Sequence, residues 1–156
     1  MDIKIQSRTD IEEMARKPFD KRTALISITD FGYDFAELKH KPRHLLRLAF
    51  DDVDNDIFED ELSATPTDEE RVSIEKRYHM FTDDLAKQIA EFYYKTCNDV
   101  EVFICQCEHG QSRSAAVASA ILEHLNGNGI DIFANDHYYP NKVVYRKTLQ
   151  QLRTKR

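Results

Sequence analysis

The residues best suited to chemistry follow an apolar run, Val100–Gln106 (VEVFICQ), as Cys107, Gly110, Arg113 and Ser114 in the order Cys-x-x-Gly-x-x-Arg-Ser. A loop between a strand and a helix N-terminus exposes several backbone N–H groups, with the positive end of the helix dipole behind them. A phosphate dianion fits such a nest. Gly110 lets the backbone curl where a side chain would obstruct it. Arg113, in the first helical turn, can grip two phosphate oxygens with its planar fork. Cys107 then lies at the bottom of the nest, where the positive field favours a thiolate nucleophile. The hydroxyl of Ser114 can donate to that sulfur when it leaves. Glu108, His109, Gly110, Gln111, Ser112 and Arg113 are the candidate phosphate-binding positions. At average residue usage the spacing has odds on the order of one in a thousand of arising from any of three cysteines. The competing reading is a buried strand cysteine before an ordinary turn.

The surrounding chain must supply the strand, the helix and a proton donor. Ile3 and Ile5 alternate with polar neighbours, as in a short strand. Thr9 and Glu12 have capping-box spacing for a helix ending before Pro18. Ala24–Ile28 (ALISI) and His44–Phe50 (HLLRLAF) read as further strands, separated by a loop around Gly32 and the Lys39–Lys41 basic cluster. DDVDNDIFEDE then carries seven carboxylates between Asp51 and Glu61, too many to bury together. Thr67 and Glu70 again have capping-box spacing, and helical periodicity runs to about Cys97 with a break near Thr82. Leu85, Ala86, Ile89, Phe92 and Tyr93 form its apolar stripe.

Val100–Gln106 is almost continuously apolar, as expected of a central strand covered on both faces. Ser114–Leu125 is rich in alanine, so its helix can pack closely on a sheet, and Gly127-Asn128-Gly129 ends it. A last amphipathic helix follows Pro140-Asn141. Alternating strands and helices predict a single α/β domain over residues 1–156 with a mostly parallel central sheet.

Length and composition agree with one domain. The chain has 156 residues, 41% hydrophobic and 32% charged, with a net charge of −6. That balance argues against a broad nucleic-acid or anionic-membrane surface, so an anionic substrate must be drawn by a local site. Three cysteines make no disulfide framework and suit a reducing compartment. No apolar run is long enough to span a bilayer, and MDIKIQSRTD lacks a basic-then-apolar secretion pattern. The expected location is the cytoplasm.

The Cys107–Ser114 segment resembles the signature loop of the protein-tyrosine-phosphatase superfamily, and the short chain resembles its dual-specificity-like branch. Pro140-Asn141 with Leu149 beyond is similar to the Pro-Asn and following helix that close dual-specificity domains. The likeness runs from roughly Ala24 to Leu152. It implies a two-step hydrolysis through a cysteinyl-phosphate without metal or cofactor, with an aspartate as general acid and then general base. Matching LRLAFDD to the family's strand end puts Asp52 in that role, with Asp51 and Asp54 as alternatives. The separation from Asp52 to Cys107 exceeds that of a compact member and implies an insertion around residues 59–77. One position departs from the pattern: the family has His before the cysteine, and this chain has Gln106, which can still bond the loop backbone. Glu108 and His109 should point outward and shape the rim.

Phosphotyrosine in a protein or peptide, with tolerance of phosphoserine and phosphothreonine, is the expected substrate. RNA 5′-phosphate, nucleotide and lipid substrates, and a phosphate-recognition module without turnover, are the alternatives. Asp52-x-Asp54-x-Asp56 fails as a calcium loop, with Ile57 and Ser63 where glycine and glutamate belong. It also departs from the aspartate-nucleophile phosphatases at Asn55, and that reading leaves the Cys107 loop unexplained. A rhodanese-like loop accounts less well for Gly110 and Arg113-Ser114. Cys105 reads as a packed core thiol, with a disulfide to Cys107 as a weaker alternative.

Overall fold

The computed structural model describes residues 1–54 and 66–154. The acidic run beyond Asp54 and the first part of the expected 59–77 insertion fall outside them. Four strands, β1 (Asp2–Gln6), β2 (Thr23–Thr29), β3 (His44–Ala49) and β4 (Val102–Gln106), form one parallel sheet in the order β1-β4-β2-β3. The most apolar strand, β4, thus lies between two neighbours, as its composition demands. Pairing starts at Val102, two residues later than the apolar run.

Side chains alternate across the pleat. Ala24, Ile26, Ile28, Leu48, Phe103 and Cys105 share one core, which also takes in buried residues of α3 (Asp83–Thr96), α4 (Arg113–Asn126) and α6 (Lys142–Thr154). Leu25 and Ile104 point to the other face, where Ile11 and Ala15 of the α1 (Arg8–Met14) region and the Ala36–Leu38 segment cover them. Helix α4 buries Ala115, Ala116, Ala118 and Ala120. Their small side chains bring the helix close to the sheet. Gly127, in the left-handed region at φ 72°, ends it.

Two helix starts follow the sequence expectation and one does not. Thr67 caps α2 (Asp68–Arg77) by accepting from Glu70 N, and Thr82 caps α3 by accepting from Leu85 N. The expected break therefore falls between two separate helices, where His79 has a positive φ of 50°. Thr9, expected to cap the first helix, lies inside α1; Ser7 is the cap and accepts from Asp10 N. The helix must start there because Ser7 is the first residue after β1, so the chain turns at once. A four-residue helix, α5 (Ile130–Phe133), precedes α6, whose first N–H groups at Val143 and Val144 donate to Asn141 Oδ1. None of the described helices is long and apolar enough to cross a membrane.

Candidate active site

The carboxyl ends of all four strands meet at one edge of the sheet, the usual place for a ligand in a parallel α/β fold. Ser7 and Arg8 follow β1, Asp30 follows β2, Phe50 to Asp52 follow β3, and Cys107 follows β4. The 107–112 loop therefore emerges from a buried strand into a crevice whose other walls come from three different connections.

Several carbonyls of this loop are tied to the surrounding protein. Glu108 O accepts from Arg8 N, Gln111 O from Tyr139 N, and Ser112 O from Asn141 N. Among the described residues, none of the backbone N–H groups from Glu108 to Arg113 has a protein acceptor. Turning the carbonyls outward leaves those donors for an anion. Gly110 is required on two counts: its φ is 68°, and a Cβ there would come within 2.8 Å of Ser7 N.

Cys107 is buried at the base of the loop, 3.0 Å from Ser114 Oγ. Arg113 is only 4% exposed. Its Nη1 donates to Phe50 O and to Asp30 Oδ1, each at 2.7 Å. Its Nε is buried and without a partner among the described residues. With Nη1 occupied, Nε and Nη2 remain as the parallel pair that suits a phosphate edge. A buried donor of this kind can bond to an oxyanion.

Asp52 reaches the same pocket. Its Oδ1 accepts from Ser112 Oγ at 2.8 Å and Asn141 Nδ2 at 2.9 Å. A cavity of about 260 Å³ is lined by Asp52, Cys107, Gln111, Arg113 and Tyr139 among others. The two alternative carboxylates point elsewhere: Asp51 Oδ1 accepts from Phe31 N, and Asp54 Oδ2 faces Lys142 N. Asp51 instead fastens the loop, since its own N–H donates to His79 O while the His79 ring stacks on Phe31 at 3.8 Å.

Glu108 and His109, expected alike on the rim, differ in their surroundings. His109 is an exposed rim residue, and Glu108 turns aside to an ion pair with Arg8 at 2.7 Å. Cys105 is fully buried, and burial first, then the neighbouring Cys107, pushes its thiol strongly up. Its side chain packs within the sheet core.

Gln106 is wholly buried. Its Nε2 donates to Cys107 O at 3.0 Å and its Oε1 accepts from Ser27 Oγ at 2.5 Å. The amide thus spans from β2 to the carbonyl of Cys107. Ser27→Ala leaves Gln106 Oε1 buried without a donor and is expected to cost about 1–3 kcal/mol. Replacing both residues, Ser27→Ala with Gln106→Leu, should cost less than the two single changes added together. Urea unfolding of the four proteins measures the coupling, and strict additivity would deny it.

Sequence reasoning missed Asp30, Ser27, Tyr139 and the carbonyl of Phe50. Asp30 and Phe50 each directly follow a strand, and their position at the carboxyl end of the sheet was the available signal. Nothing in the sequence marks Ser27 as the partner of Gln106.

No protein-family model matches the sequence, and no curated protein matches it. Solved structures do. A crystal structure of Tk-PTP in the active form superposes with a TM-score of 0.54 at 13% identity, covering 100% of this chain and 94% of that one. A crystal structure of PTPMT1 gives a TM-score of 0.50 at 13% identity, covering 98% of this chain and 90% of that one. At such identity the likeness is one of fold.

Proposed function

We propose that this chain, whose fold is that of the protein-tyrosine phosphatases, is a cysteine-dependent phosphatase of the dual-specificity-like type, acting on phosphotyrosine in a protein or peptide. The observation that carries the reading is the buried Arg113 Nε, left unpaired beside Cys107 and a run of unoccupied backbone donors. A bound phosphate dianion supplies the acceptors these donors lack.

The thiolate of Cys107 attacks phosphorus as the bond to the leaving oxygen breaks. Arg113 and the loop N–H groups hold the equatorial oxygens, where negative charge is spread in the transition state. Asp52, in its acid form, gives its proton to the leaving oxygen. Water then attacks the cysteinyl-phosphate, Asp52 takes back a proton, and the sulfur departs as a thiolate to which Ser114 donates. The products are an alcohol or phenol and inorganic phosphate. All these side chains act without a metal or cofactor, in a reducing compartment such as the cytoplasm where Cys107 stays a thiol.

The decisive experiment is turnover of p-nitrophenyl phosphate and a phosphotyrosine peptide in the presence of EDTA. Turnover that dies with the chelator overturns the reading in favour of a metal-dependent hydrolase, and no turnover at all favours a phosphate-recognition module. Asp52→Ala is expected to lower kcat roughly 10²-fold on the peptide. The loss should be smaller for an ester whose leaving group needs no proton. An undiminished rate in the variant would move the acid to another residue.

A further inference from the structure

The phosphate pocket, at about 260 Å³, has room for little beyond the phosphorylated group itself. Beside it lies a second cavity of about 460 Å³, lined by Arg8, Asp30, Tyr33, Asp34, Glu108 and His109 among others. The two share His109 as a common wall. Asp30 links them further, lining the second cavity while pairing with Arg113 of the first. Whatever flanks the phosphorylated group on this side must enter the second cavity.

Its chemistry selects a cation. Arg8 is committed to the wall itself, donating to Glu108 Oε2, Thr29 Oγ1 and the Asp34 carbonyl, so it presents no free charge. Of the three carboxylates lining the cavity, Glu108 is paired with Arg8 and Asp30 with Arg113, which leaves Asp34. The Asp34 carboxylate is exposed and takes no bond from a described residue. Tyr33, next to it, is 71% exposed. An open aromatic face beside an unpaired carboxylate is a combination that receives a guanidinium, stacked on the ring and paired at its edge. The two features are chemically independent and point to the same ligand.

We propose that this cavity binds a basic side chain, arginine foremost, adjacent to the phosphorylated residue of the substrate. The inference rests on the phosphatase reading for the neighbouring pocket and narrows it to phosphorylated segments with a cationic neighbour. Polyanionic substrates, such as RNA 5′ ends or phosphoinositides, meet repulsion at the same wall.

The test uses phosphotyrosine peptides that differ only in carrying Arg or Glu at each position flanking the phosphotyrosine. The wild-type protein should favour the Arg peptide at one flank by about 5-fold in kcat/KM at low salt, and less at high salt, as expected of one exposed carboxylate beside an aromatic ring. Asp34→Lys should collapse or invert the Arg/Glu ratio, and Tyr33→Ala should reduce it; the ratio cancels any loss common to both peptides. Binding of the same pairs to Cys107→Ser gives the preference without turnover. A ratio near one at every flank, or one unmoved by Asp34→Lys, overturns the subsite while leaving the phosphatase reading intact. Preferential binding of the Arg peptide by a protein that hydrolyses nothing supports the subsite and overturns the phosphatase reading. Failure of Cys107→Ser to bind either peptide overturns the subsite.

Discussion

Cys107→Ser is expected to abolish turnover while leaving phosphate binding nearly intact. The serine hydroxyl is close in shape to the thiol, but at neutral pH it is not ionised and no neighbouring base takes its proton. Cys107 Sγ is paired with Ser114 Oγ rather than with a histidine or carboxylate. Loss of the nucleophile should lower kcat by roughly 10⁴-fold or more, the scale seen when other enzymes lose theirs. In the proposed site the donors to the phosphate are the loop backbone and Arg113, and none is removed. Steady-state kinetics on p-nitrophenyl phosphate, with calorimetry of inorganic phosphate binding, separates the two effects. A variant that retains a tenth of the wild-type rate would show that the sulfur is not the attacking atom. The change buries no new charge, so the fold should survive it.

Arg113→Lys should damage binding and turnover together even though the charge is kept. The guanidinium does two jobs with different nitrogens. Nη1 is fixed between the Phe50 carbonyl and Asp30, which holds the fork in place, while Nε is buried without a partner among the described residues. A lysine ammonium can reach Asp30 or the phosphate, but it has no second nitrogen set at a fixed angle to the first. Loss of the bidentate contact should cost on the order of 10²–10³-fold in kcat/KM, as removal of one transition-state donor does elsewhere. Arg113→Ala should go further and lose phosphate binding altogether. It would also leave the Phe50 carbonyl without this donor in a buried position, so a drop in thermal stability should accompany it. A lysine variant with wild-type kcat/KM would show that charge alone is sufficient and would remove the basis for the assigned geometry.

The spacing of the loop and the unpaired Arg113 Nε are different observations that suit the same phosphate chemistry, and the solved structures add a likeness of fold. They agree less closely on the substrate. In the proposed subsite that information would lie at the rim, in Tyr33 and Asp34, which belong to a connection that follows no strong periodic pattern.

The sequence by itself determined the strand-loop-helix unit around Cys107, because everything that unit needs is local. An apolar run makes a buried strand, Gly110 supplies the positive φ, and an alanine-rich segment makes a helix that packs close. It also determined the parallel α/β class, since strands and helices alternate along the chain. Asp52 came from the resemblance of its strand end to the family's, with Asp51 and Asp54 left open, and the structure puts Asp52 of the three at the pocket. The tertiary structure decided what depends on residues far apart in the chain. Asp30 and Phe50 meet Arg113 across separations of 83 and 63 residues, and Ser27 meets Gln106 across 79. Asn141 meets Asp52 across 89. No local propensity encodes such pairs; the parallel sheet brings them together by aligning its carboxyl ends at one edge. The same edge moved the first helix cap from Thr9 to Ser7, where the chain must turn directly out of β1 and pass within contact of Gly110.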